Sequence, residues 1–169
     1  MTLVAETQRL QLRRLDAADA AFILQLVNEP SWLEFIGDKG VRTLDDARAY
    51  IANGPVAMYA SHGHGLYRVD LKSSGKAIGL CGLIKRDTLA DVDIGYAFLP
   101  AHWGCGYAEE ATRATLDHAR DILGMKRIVA IVTPANARSI RLLEKIGLRY
   151  ERDFEARPGD ITSLFAADL

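Results

Sequence analysis

Gly104-Cys105-Gly106-Tyr107-Ala108 lies between a short apolar stretch that ends at Phe98-Leu99-Pro100 and a helical pattern that runs from Ala108 to Leu123. Strand, glycine turn and helix start in that order form a natural seat for an anion. The first turn of a helix has backbone N–H groups without intrahelical partners, and the aligned peptide dipoles add partial positive charge at the same end. Two glycines two residues apart let the chain take φ values closed to other residues and bring its backbone close to a pyrophosphate. A plain glycine turn satisfies the same five residues, so the motif carries weight only in its context.

That context comes from the second half of the chain. Thr133-Pro134-Ala135-Asn136-Ala137-Arg138-Ser139 leads from the apolar run Arg127 to Val132 into a short helix, and Gly147 stands where a helix end takes a left-handed residue. Two stretches are similar to signature segments of the GNAT N-acetyltransferases: Trp103-Gly104-Cys105-Gly106-Tyr107-Ala108-Glu109-Glu110-Ala111, and Asn136 through Leu148. The opening Thr7-Gln8-Arg9-Leu10-Gln11-Leu12-Arg13 and Asn28-Glu29-Pro30 resemble the branch containing the ribosomal-protein N-terminal acetyltransferases. The resemblance runs over about residues 7 to 166, and the order and separation of the motifs make it specific.

Composition agrees. A chain of 169 residues has the length of one domain, so residues 1–169 are expected to form a single acetyltransferase-like unit, large enough to bury ~70% of its unfolded surface. With 49% hydrophobic residues, 25% charged residues and a net charge of −1, it lacks the basic excess of a nucleic-acid binder. Cys81 and Cys105 stand far apart and outside any CxxC pattern, which gives no support to a disulfide framework or a zinc site and suits a reducing cytoplasm. No run approaches the ~20 apolar residues that span a bilayer, so neither a membrane nor a nucleic acid is expected as partner.

Along the chain, Arg9 to Arg13 alternates like a strand, Asp16 caps a helical stretch Ala18 to Val27 closed by Pro30, and Thr43 opens a second helix that Gly54-Pro55 ends. Leu66 to Leu71 and Ala77 to Ile84 flank Ser73-Ser74-Gly75-Lys76 as a hairpin, and Val92 to Leu99 follows as a third strand of the meander. Strands Arg127 to Val132, Arg149 to Phe154 and Ile161 to Ala166 complete the pattern. The expected fold is α+β: a mixed, mostly antiparallel sheet of about seven strands with helices on both faces. By resemblance, its central parallel pair, Val92 to Leu99 and Arg127 to Val132, splays apart and takes acetyl-CoA in the gap. A pantetheine arm can then pair with the strand as another strand would. The resemblance places this pairing at Tyr96, Ala97 and Phe98, and the pyrophosphate on the N–H groups of Trp103, Gly104, Cys105, Gly106, Tyr107 and Ala108.

The implied reaction is attack of a primary amine, a protein N-terminal α-amine or a small molecule, on the thioester. It requires a proton acceptor for the amine and stabilisation of the departing thiolate. Asp93 is the first candidate base, with a solvated strand residue as the competing reading because Asp91 and Asp93 alternate against Val92 and Ile94; Glu155 is an alternative. The tyrosine that many members carry seven residues after the motif asparagine is Leu143 here, and a glutamate five residues before it is Ile131. Ser139 stands where the ribosomal-protein branch has a serine proposed for the hydroxyl role, although a serine near a helix start also bonds local backbone. Asn136 reaches pantetheine amides in the family and caps a helix otherwise.

His62-Gly63-His64 lacks further ligands for a metal. His102 adjoins the phosphate loop or the surface. Cys105 at a helix start invites an acyl-cysteine route, but the motif favours direct transfer. Glu109 and Glu110 are expected to point to solvent, and Trp32, Phe35 and Tyr50 to wall the acceptor side or pack the core. The resemblance also implies a homodimer. A non-catalytic acyl-CoA-binding or regulatory module is the alternative function.

Overall fold

A computed structural model describes residues 2–169. One mixed sheet of eight strands runs in the order β1-β2-β3-β4-β5-β6-β8-β7. The strands are β1 Leu3–Glu6, β2 Leu10–Arg14, β3 Leu66–Leu71, β4 Ala77–Ile84, β5 Asp93–Phe98, β6 Arg127–Val132, β7 Arg149–Arg157 and β8 Asp160–Asp168. Every neighbouring pair is antiparallel except β5 and β6. The strand beyond the expected seven is β1, four residues at the sheet edge with no alternation long enough to read. The β7–β8 hairpin also extends past its expected ends, because Gly159 at φ +79° closes a tight turn.

The helices are α1 Ala20–Leu26, α2 Pro30–Phe35, α3 Leu44–Ile51, α4 Ala57–His62, α5 Tyr107–Asp121 and α6 Ala137–Lys145. Asp16 caps a turn of 3-10 helix ahead of α1 through a reciprocal box with Asp19. Pro30 begins α2 instead of only closing the helix before it, since proline suits the first helical position, where the N–H has no partner. Gly54-Pro55 does not end the second helix. The chain widens into a π-turn over Ala52–Val56 and continues as α4 until Gly63 turns left-handed at φ +76°. A π-turn shifts the bonding register and absorbs the N–H that Pro55 lacks.

Apolar side chains leave the sheet on both faces. Ile23, Leu26, Trp32, Ala47 and Ile51 of the first helices pack on Leu80 and Leu99, while Ala111 of α5 packs with Leu12, Tyr67 and Phe98 on the other side. A third cluster joins Leu116 and Ala119 of α5 and Leu143 of α6 to Ile94, Ile128 and Ala130.

At the centre, the ladder between β5 and β6 consists of one pair, Asp93 opposite Val129, supported by Val129 N–H to Val92 C=O at 3.0 Å. Each strand is fully zipped to its other neighbour, β5 to β4 and β6 to β8. The two strands therefore share a base and diverge, leaving a V.

Candidate active site

A cleft of about 1290 Å³ runs through this V and is bordered by both halves of the molecule. At its coenzyme end, Gly104 and Gly106 take φ values of +76° and +82°, which a β-branched residue would meet only under strain. Gly106 is the N-cap of α5, and the first helical bond runs from Glu110 N–H to Gly106 C=O at 3.1 Å. Among the described residues, the N–H groups of positions 104–109 have no acceptor in the chain. Trp103 departs from the expected set. Its backbone N–H is donated to Pro100 C=O at 3.1 Å, its indole Nε1 donates to Phe98 C=O at 2.8 Å, and its ring lies 4.6 Å beneath the guanidinium of Arg138. It walls the loop and offers no amide.

Peptide groups alternate sides along a strand. Val92 C=O points to β6, and Leu99 N–H bonds Ile78 on the β4 side. Tyr96 and Phe98 therefore turn their peptide groups to the V, whereas those of Ala97 face β4, against the expectation for Ala97. The Phe98 carbonyl already holds the Trp103 indole, which leaves the Phe98 N–H and both groups of Tyr96 for an added strand.

Glu109 and Glu110 do not point freely to solvent. Glu109 lies 2.9 Å from Lys145 Nζ and 3.0 Å from Arg113 Nε. Glu110 accepts from the Thr7 hydroxyl at 2.6 Å and from the Arg9 N–H and Nε at 2.9 and 2.7 Å. Arg9 lies 4.5 Å over the Tyr107 ring and donates to Cys105 C=O at 2.9 Å, so the β1–β2 turn is fastened to the glycine loop. Burial alone would raise the Glu110 pKa, but the Thr7 and Arg9 donors take it below the usual carboxylate value. The Cys105 thiol is exposed and lies 3.7 Å from Trp103 C=O.

On α6, Asn136 Oδ1 caps the helix by accepting from Ser139 N–H at 3.2 Å, and among the described residues its Nδ2 has no partner. Ser139 Oγ lies 2.6 Å from the hydroxyl of Tyr96, which also reaches Ser139 C=O at 3.3 Å. Burial pushes the Tyr96 phenol up to about 12, with the bond to Ser139 pulling the other way. Leu143 is 1% exposed in the core between α6 and the sheet. No hydroxyl comes from that position; the phenol comes from β5 instead. The family resemblance implies a role only for the Tyr96 backbone; the signal for its side chain is strand alternation, which puts residue 96 on the same face as Ile94, toward α5 and α6.

Asp93 is not a solvated strand residue: it is 1% exposed at the base of the V. Its Oδ2 accepts from Arg86 Nε at 2.6 Å, and its Oδ1 is buried without a partner among the described residues. Burial raises its pKa, and Arg86 offsets part of that rise. Asp91, by contrast, pairs with Arg127 at 3.1 Å. Trp32, Phe35, Tyr50, Met58 and Phe154 border the far end of the cleft, together with Lys39, Glu155 and Arg157. His102 also borders the cleft, with a buried, unpartnered Nε2. His64 sits in the core with Nδ1 3.0 Å from Leu83 C=O, and burial lowers its pKa.

Residues 9–149 match the family described as the acetyltransferase (GNAT) domain. The chain belongs to this family. The GNAT match spans the glycine loop, the V and α6, and the family consists of N-acetyltransferases, so the expected superfamily, fold and enzyme class hold. An uncharacterized N-acetyltransferase p20 of Bacillus licheniformis is 28% identical over 169 residues, covering 96% of this chain and 93% of the relative. An acetyltransferase from Agrobacterium tumefaciens str. C58 superposes with a TM-score of 0.83 at 26% identity, over 99% of this chain and 94% of that one. A ribosomal L7/L12 α-N-protein acetyltransferase solved with coenzyme A has a TM-score of 0.85 over 99% of this chain and 98% of its own, but at 16% identity the likeness is one of fold. The ribosomal-protein branch is thus a structural relationship.

Proposed function

We propose that this chain moves the acetyl group of acetyl-CoA to a primary amine, a protein N-terminal α-amine or a small molecule, by direct attack on the thioester. What carries the reading is one juxtaposition: the open V between β5 and β6 leads straight to a run of unbonded N–H groups at 104–109. An extended chain bearing amides suits the first and a pyrophosphate suits the second. In this reading the Tyr96 backbone and the Phe98 N–H pair with pantetheine, Asn136 Nδ2 bonds one of its carbonyls, and Gly104 to Ala108 hold the pyrophosphate. Arg138, Arg141 and Lys145 border the same cleft and offset the nearby Glu109 carboxylate.

The reaction conserves protons: nitrogen attacks the acetyl carbon, the C–S bond breaks with its electron pair on sulfur, nitrogen loses a proton and sulfur gains one. Asp93 is the base, directly or through water, because the residue borders the cleft, its Oδ1 has no partner among the described residues, and its raised pKa brings it nearer neutrality, where a general base works best. Ser139 is the hydrogen-bond donor to the departing thiolate. The exposed Cys105 thiol is not among the residues that border the cleft, which favours direct transfer over an acyl-cysteine. One domain over residues 1–169, a homodimer and a cytoplasmic site belong to the same reading; two free cysteines suit a reducing compartment.

Thiol release from acetyl-CoA, with α-amino peptides, polyamines and aminoglycosides as acceptors, tests the proposal. Acetylated product is expected for one class. Tight coenzyme binding with no acetylation of any class would favour the non-catalytic acyl-CoA-binding module instead.

A further inference from the structure

We propose that Tyr96 is a positioning residue for thiol release: its phenol O–H donates to Ser139 Oγ and so directs the serine O–H to the sulfur of the thioester. The inference rests on the reading of Ser139 as the donor to the thiolate and adds a second hydroxyl to it.

A serine in the first turn of a helix commonly turns its O–H back onto nearby backbone. Ser139 does not: among the described residues its Oγ has one partner, the Tyr96 hydroxyl at 2.6 Å. The polarity of that bond follows from chemistry. A phenol is several powers of ten more acidic than an aliphatic alcohol and so the better donor; its proton has two acceptors in reach, Ser139 Oγ at 2.6 Å and Ser139 C=O at 3.3 Å, and the shorter contact favours Tyr96 as donor to Oγ. Burial keeps the phenol protonated through neutral pH, so it retains a proton to donate. With its lone pair engaged, the serine hydroxyl keeps its own proton for another acceptor, and a hydrogen-bond chain of this kind strengthens each link. The sulfur is that acceptor as negative charge develops on it.

The fold supplies the phenol where α6 cannot. Leu143 is sealed in the core, while β5 aims Tyr96 at the first turn of α6. Asp93, an odd number of residues away on β5, projects to the opposite face. The amine-side carboxylate and the thiol-side hydroxyls therefore flank the V from its two sides, as a direct transfer between two substrates requires.

The test is a double-mutant cycle of Tyr96→Phe, Ser139→Ala and both together, read in two ways. In turnover, each single change should lower kcat about tenfold with the KM for acetyl-CoA little changed, and Tyr96→Phe should cost nothing further once Ser139 is Ala. In binding, the thiol pKa of bound coenzyme A, followed by thiolate absorbance during a pH titration, needs no acceptor. It should rise by about one unit in each single variant and no further in the double variant. Tyr96→Phe that lowers kcat equally in both backgrounds, or leaves the bound thiol pKa unchanged, overturns the proposal while the acetyltransferase reading stands. Failure of coenzyme A to bind the folded wild-type protein overturns both.

Discussion

Arg86 holds one oxygen of Asp93 at 2.6 Å, and the other oxygen is buried without a partner among the described residues. The arrangement fixes the carboxylate while leaving half of it free for a proton. Arg86 is itself 39% exposed on its side chain, whereas that of Asp93 is 1% exposed, so the pair reaches from a buried carboxylate out to solvent.

Asp93→Asn should lower kcat about a hundredfold or more, within the range of a positioned proton acceptor. In the wild type, the acid limb of the kcat/KM profile should lie above the ordinary carboxylate value, since burial raises this pKa more than Arg86 lowers it. The sign for stability is opposite to the usual acid. Ionisation of a carboxyl with a raised folded pKa costs folding free energy above that pKa, so the Asn variant should melt no lower than wild type at pH 8. A steady-state pH profile and a melting curve check both; a wild-type rate would make Asp93 structural.

Gly106→Val should weaken acetyl-CoA binding at least tenfold by calorimetric titration. The residue sits at φ +82°, and a Cβ there would come 3.3 Å from Arg9 Nη2, so both the loop and its fastening are disturbed. Gly104→Val acts through φ alone, because no atom lies within 4 Å of its Cβ position. Unchanged affinity in folded variants of both would remove the phosphate seat.

Asn136→Ala removes two things at once. Loss of the Oδ1 cap should cost about 0.5–2 kcal/mol of stability, and loss of the free Nδ2 should raise the KM for acetyl-CoA. Asn136→Asp separates them: the cap remains, so melting should recover while KM stays high. Recovery of both would leave the amide with a capping role alone.

Glu110→Gln should lower stability by about 1.5 kcal/mol, roughly 3–6 °C in melting temperature, because charge-assisted bonds from Thr7 and Arg9 are weakened. Its folded pKa is depressed, so this contribution is present above the ordinary carboxylate pKa and is lost as pH falls through the folded value. The gap between wild type and variant should therefore close in acid. A pH-independent gap would assign the loss to packing.

Much of this was legible in the chain because local rules and tertiary demands agree. The strand at Arg127 to Val132, the hairpin around Gly75, the glycine loop and the cap at Asn136 each carry their own signal in a few consecutive residues. The misreadings arose where a residue has two uses. Pro55 breaks an α-helix but is housed by a π-turn, and Pro30 both follows one helix and starts the next. Glu110 suits solvent by composition, yet Thr7 and Arg9 reach it from a hundred residues away. The Tyr96 hydroxyl meets Ser139 only because β5 and α6 pack together, 43 positions apart. Contacts of this separation leave no periodic trace in sequence.

The fastening of the β1–β2 turn to the glycine loop couples Thr7 and Arg9 to any ligand that settles on that loop. Any ligand that orders residues 104–109 also stabilises the bonds from Thr7 and Arg9 to Glu110 and Cys105, so amide hydrogen exchange along β2 should slow when coenzyme is added. An affinity tag or truncation that strains the chain near Thr7 would then be felt first as a shift in coenzyme affinity.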